Sequence, residues 1–166
     1  MKRFVHNAKE KMSSWWQRQG TVCLVLLGVV GIDRLTKWLA QAFLVEKPVA
    51  VFPFFHLHYV ENTGAAFGMM QGRNWILIFV MAAIIGYLLA SWKELCAQGK
   101  WVKWGCVLIL AGACGNLYDR IRLGYVVDFL DFLIWPVFNV ADSAITVGGC
   151  LCVISLLLHR NKKQEE

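Results

Sequence analysis

The stretch "FNVADSAITVGGCLCVISLLLHR", Phe138 to Arg160, decides how this chain is read. From Ala144 onward it is almost wholly apolar up to a basic end, the pattern of a helix that crosses a bilayer. Near its start, however, stand Asn139 and Asp142. A carboxylate within the apolar depth of a membrane costs roughly 2.5–3.5 kcal/mol on insertion scales, so such groups face a protein interior or a wet cavity. The run therefore predicts a membrane helix whose mouth opens on a polar cleft.

Composition agrees. Of 166 residues, 58% are hydrophobic and 17% charged. Soluble domains carry about a quarter charged residues, so the chain belongs to the membrane class as a single membrane domain over 1–166. Four stretches are long and apolar enough to be approximate transmembrane helices: 21–44, 74–92, 101–118 and 137–158. The first is preceded by a basic amphipathic segment, 1–20, in which Trp15 and Trp16 suit an interfacial belt. Asp33, Arg34 and Lys37 separate its apolar run from the small-x-small site Ala40-Gln41-Ala42, the wrong layout for a cleaved leader, so this helix is expected to be retained. Residues 45–73 hold surface strands and a loop. The portion Val51–Val60 alternates and is rich in aromatic and β-branched residues, and a turn follows at Asn62-Thr63-Gly64. The expected fold class is membrane all-α, four transmembrane helices with a small β-sheet lying on the outer membrane surface.

Basic residues orient the spans. Lys2, Arg3, Lys9, Lys11 and Arg18 precede the first, Lys93, Lys100 and Lys103 lie around the second connection, and Arg160, Lys162 and Lys163 follow the last. Four spans put all of these on one side, so both termini are expected to be cytoplasmic. The net charge of +6 then reflects topology and contact with anionic membrane lipids and makes no case for nucleic acid. The six cysteines lie in or beside apolar runs without CxxC spacing, and are expected to be buried free thiols. "LAGAC", Leu110 to Cys114, has the look of a lipidation box but sits mid-chain with no leader before it. His56 and His58 share one face of the expected strand and lack a third metal ligand, so interfacial side chains are the better reading.

The remaining polar residues gather at one membrane face once the spans alternate: Asp33, Arg34 and Lys37; Asn116, Asp119 and Arg120; Asp128 and Asp131; Asn139 and Asp142. Asp33 and Lys37 are four apart, as are Asn116 and Arg120, and each pair could be a structural ion pair or interhelical bond. Arg120 either neutralises Asp119 beside it or binds an oxygen in the pocket. Asp128 in "YVVDFL" and Asp142 in "NVADSA" have apolar flanks and no basic neighbour in sequence. Two such carboxylates brought close would share one proton across working pH. Aspartic proteolysis needs that state: one carboxylate takes a proton from water while its protonated partner polarises the scissile carbonyl.

Four blocks in order, "GIDRLTKW" (Gly31–Trp38), "ENTGAAFG" (Glu61–Gly68), "GNLYDRIRLGYVVDFLDF" (Gly115–Phe132) and "FNVADSAITVGG" (Phe138–Gly149), resemble those of bacterial lipoprotein signal peptidase, signal peptidase II. The resemblance implies an intramembrane aspartic endopeptidase of the bacterial cytoplasmic (inner) membrane. It is multi-pass, a monomer, with its active site toward the outer face. Such an enzyme cuts the signal peptide from prolipoproteins just before a diacylglyceryl-modified cysteine, with no metal or organic cofactor. The catalytic pair then falls on Asp128 and Asp142. Asn62 and Gly64 match a loop that closes over the substrate. Asn116, Arg120 and Asn139 match residues that contact the substrate or orient the dyad, and Asp33 and Lys37 match a pocket-supporting pair. One departure is the segment "FLDFLIWPVFNVA" between the aspartates, shorter and less polar than in many members, which requires a tight return at Pro136. A small proton-coupled four-helix transporter is the alternative, and a non-catalytic scaffold is a second. The transporter predicts an internal repeat or a midplane carboxylate, and neither is found in the sequence.

Overall fold

The computed structural model describes residues 2–65 and 69–165, with side chains from 20 to 65 and from 69 to 158. Trp15, Trp16 and the basic side chains at both ends lie outside the described residues, as does the Ala66–Gly68 portion of the second block. The order is α1 (Lys2–Phe43), β1 (Val49–Phe52), β2 (Phe55–Asn62), α2 (Asn74–Ala90), α3 (Trp92–Ala97), α4 (Lys100–Arg122), β3 (Val126–Asp131) and α5 (Val140–Glu165). Helix α1 is continuous through residue 20, where the sequence divides basic from apolar.

Among the described residues one stretch, Val140–Leu158, with mean hydropathy 1.9, is by itself long and apolar enough to cross a membrane. Helix α2 is apolar but only 17 residues long. At 1.5 Å per residue that reaches about 25 Å, short of a core of about 30 Å. Helices α1 and α4 carry Asp33, Arg34, Lys37, Asp119 and Arg120 in their C-terminal thirds, which shortens their uninterrupted apolar runs. The outward faces are nonetheless apolar: Leu24 is 73% exposed, Phe43 71% and Phe79 68%. Cys23 and Cys150 lie on these faces and are exposed, so the expectation of buried thiols holds for Cys106 and fails for these two.

Helices α4 and α5 approach backbone to backbone. A Cβ on Gly105 would stand 2.6 Å from the carbonyl oxygen of Gly148, so only glycine permits this seam. Small residues at such a seam are how helices associate closely where no water drives them together.

Within the surface strands expected over 45–73, the strand-like portion Val51–Val60 runs through a hairpin. Pro53, which has no N–H for a ladder, breaks it at a two-residue turn between β1 and β2. The third strand, β3, was not foreseen as a strand. The sheet has the order β1-β2-β3, antiparallel throughout, with Val60 opposite Asp128 and Asn62 opposite Val126. Strand alternation then sorts β3: Val127 and Phe129 pack with Ala40 of α1 and Leu44 just past its end, while Asp128 faces the other way.

Candidate active site

Asn139 is the N-cap of α5, and this explains the polar start of the opening stretch. Its Oδ1 accepts a hydrogen bond from the backbone N–H of Asp142 at 2.9 Å, and Asp142 Oδ2 accepts from the backbone N–H of Asn139 at 3.2 Å. This reciprocal box satisfies two of the donors that every helix start leaves orphaned. The Asn139 amide then reaches away from the helix and donates to Asp128 Oδ1 at 2.6 Å. One fully buried residue thus grips both carboxylates, one by its backbone and the other by its side chain.

The outer oxygens are held by two further amides. Asn62 Nδ2 donates to Asp128 Oδ2 at 2.8 Å, and Asn116 Nδ2 donates to Asp142 Oδ1 at 2.7 Å. Asn116 is itself oriented by Lys37, whose ammonium donates to its Oδ1 at 2.8 Å. Lys37 also pairs with Asp33 at 3.0 Å and Asp119 at 2.8 Å, so all three of its donors are used. Asp33 closes the circuit by accepting from the backbone N–H of Ala141 at 3.0 Å, in the first turn of α5.

Both carboxylates line one cavity of about 640 Å³. Asn62, Gly64, Asn116 and Arg120 line it as well; Asp33, Lys37 and Asn139 do not, and stand behind its wall. Its far side is apolar, with Leu77, Val80 and Met81 of α2 facing Ile145 and Thr146 of α5. Gly64 forms the roof. Its N–H donates to Asn62 Oδ1 at 3.0 Å, and a Cβ there would meet the Met69 carbonyl oxygen at 2.6 Å.

Burial acts strongly on Asp128, which lies on β3 outside the helices. Burial pushes its carboxyl up to about 7, and the neighbouring charge of Asp142 acts in the same direction. The amides of Asn62 and Asn139 and the charge of Lys37 oppose the rise without cancelling it. Near neutral pH the Asp128 carboxyl therefore exists in both protonation states.

Of the two readings left open for Arg120, neutralising Asp119 is overturned. Asp119 turns to Lys37 and Arg34, while Arg120 Nη2 donates to the Gly64 carbonyl at 2.5 Å. Asp119 and Arg34, which the sequence sets at the polar face without a site role, form the charge cluster with Lys37 and Asp33, and Asn74, which the sequence did not mark, bonds Arg120. His58 approaches Asp131 at 3.6 Å, away from the cavity.

The architecture places the chain among bacterial membrane enzymes. One such enzyme, solved at 2.3 Å, superposes with a TM-score of 0.81 at 32% identity over 89% of this chain and 93% of that one. A second, solved at 1.9 Å, gives 0.72 at 31% identity over 83% and 93%. Residues 25–158 match the family described as signal peptidase (SPase) II. A lipoprotein signal peptidase of Desulfitobacterium hafniense is 49% identical, covering 86% of this chain and 97% of its own. That of Halothermothrix orenii is 42% identical over 81% and 94%. The chain belongs to the signal peptidase II family and is a membrane peptidase.

Proposed function

We propose that the chain is an intramembrane aspartic endopeptidase that removes signal peptides from prolipoproteins just before a diacylglyceryl-modified cysteine. Family membership supports the removal of prolipoprotein signal peptides. The aspartic chemistry rests on one observation: Asn139 engages Asp128 and Asp142 together on the wall of one cavity. In this reading Asp128, whose carboxyl burial pushes up to about 7, carries the shared proton and Asp142 is the base.

Asp142 takes a proton from water as the water oxygen bonds the carbonyl carbon, and Asp128 gives its proton to the carbonyl oxygen. The gem-diol then collapses. The C–N bond breaks, the amine nitrogen receives the proton held by Asp142, and a diol hydroxyl returns one to Asp128. Arg120 offers a buried Nε–H, without a partner among the described residues, to a substrate oxygen. The approximate spans proposed are 21–44, 74–92, 101–118 and 137–158, with both termini cytoplasmic. The sheet and the Asn62–Gly64 turn roof the cleft at the outer surface. The apolar wall between α2 and α5 suits a substrate that arrives from lipid.

Purified protein in detergent, given a diacylglyceryl-modified prolipoprotein, should release the signal peptide. Asp128→Asn and Asp142→Asn should each lower turnover by about 10²- to 10⁴-fold while leaving the fold intact. Normal cleavage by either variant removes that residue from the dyad.

A further inference from the structure

Arg120 stands in the last turn of α4, 5% exposed, and its charge acts on Asp128 of β3 and Asp142 of α5. A buried guanidinium near two carboxylates tends to pair with them, yet among the described residues it makes no ion pair with either. Its bonds run elsewhere. Nη2 donates to the Gly64 carbonyl, and Nη1 donates to Asn74 Oδ1 at 3.2 Å. The Asn74 amide returns a bond from Nδ2 to the Arg120 carbonyl oxygen at 3.0 Å, a carbonyl at the end of α4 that also accepts from the Gly124 N–H at 3.2 Å. Asn74 is therefore clasped at both ends by one residue, with its orientation fixed, at the first position of α2.

We propose that Asn74 is a positioning residue that holds the Arg120 guanidinium under the Gly64 roof and off the two carboxylates. It lines no part of the cavity and acts only through Arg120. From β2, Glu61 lines the cavity, is exposed and accepts from the Tyr59 hydroxyl at 3.0 Å. From α1, Lys37 and Asp33 are bound to each other and to Asp119. From α4 itself, Asp119 is turned toward that cluster. Arg73, beside Asn74, is exposed. With Asn74 gone, one of the two anchors of the guanidinium is lost, and attraction draws the positive charge toward the dyad. A cation nearer Asp128 favours its ionised form, so the proton needed for catalysis leaves at lower pH. This inference rests on the carboxylate-pair reading.

The test is the pH dependence of cleavage of a diacylglyceryl-modified prolipoprotein by the full chain, comparing Asn74→Ala with Asn74→Asp and recording thermal unfolding of each. Asn74→Ala should lose about tenfold in kcat/KM and shift the alkaline edge of activity down by about one pH unit. Asn74→Asp keeps the acceptor for Arg120 and adds a negative charge, so its alkaline edge should move up. If Asn74→Ala does not fold, Asn74→Asp carries the test alone, and an edge that stays in place or falls overturns the proposal. An unmoved edge in Asn74→Ala, or equal shifts in both variants, also overturns it. If the Asn74 variants are silent while Asp128→Asn and Asp142→Asn are inactive, this inference alone fails. Active aspartate variants defeat both.

Discussion

Replacing Asn139 by alanine should loosen the molecule and, against intuition, extend its activity to higher pH. Asn139 is fully buried and supplies the α5 cap, with its Oδ1 on the Asp142 N–H at 2.9 Å. It also supplies a short bond of 2.6 Å to Asp128 Oδ1. Loss of an N-cap costs about 0.5–2 kcal/mol, and loss of a hydrogen bond to a charged group about 1.5–3 kcal/mol. The variant should therefore be less stable by roughly 2–5 kcal/mol. The kinetic effect has a definite sign. The Asn139 amide favours the ionised form of Asp128, so removing it lets that carboxyl hold its proton beyond about 7. Cleavage rates from pH 5 to 10, with unfolding curves in the same detergent, measure both effects. A slower enzyme whose alkaline midpoint has risen is the expected result. A midpoint that stays in place or falls would refute the bridging role, and an unchanged unfolding curve would refute the cap.

Three further outcomes follow from the same contacts. Because the folded Asp128 carboxyl is raised to about 7 from an ordinary value near 4, its contribution to stability is complete below pH 4 and is lost as pH rises through 7. At about 1.4 kcal/mol per pH unit the loss is on the order of 4 kcal/mol, and Asp128→Asn should flatten that slope in unfolding experiments across the window. Lys37→Met leaves Asp33 and Asp119 sharing only Arg34, and should destabilise by about 3–5 kcal/mol; an equally stable variant would show the cluster to be dispensable. Gly64→Ala forces its methyl against the Met69 carbonyl, so the roof must open and cleavage should fall while the unfolding midpoint shifts little.

The sequence made the polar end of the bundle legible because carboxylates and amides in apolar runs are expensive and therefore few. Asp33, Lys37, Asn116, Asp128, Asn139 and Asp142 could be set at one depth by alternating the spans, and all six join one hydrogen-bonded network. What spacing could not reveal was which oxygen meets which donor. Asp119 and Arg120 are adjacent, yet on a helix adjacent side chains diverge by about 100°, and they serve different partners. Asn74 carried no signal, since an asparagine at a helix start reads as an ordinary boundary residue. Strand β3 was hidden for another reason. "VVDFLD" has no clean alternation, because both of its faces are covered and Val126 to Phe129 are all buried.

The arrangement of charge suits the proposed sharing of one proton. The cluster beside the dyad holds Asp33 and Asp119 against Lys37 and Arg34, two acids against two bases, and is neutral within itself. Among the described residues, Asp128 and Asp142 receive only amide donors: Asn62, Asn116, Asn139 and the backbone of Asn139. Lys37 comes within one side chain of the dyad and stops at Asn116, which passes on a hydrogen bond in place of a charge. Direct contact with the ammonium would fix both carboxylates as anions, leaving no acid to polarise a carbonyl. Hydrophobic replacements for the amides would abandon their geometry and raise the proton affinity of Asp128 further. Neutral amides backed by a self-compensated ion cluster do neither, and hold four oxygens in place as the proposed sharing of one proton requires.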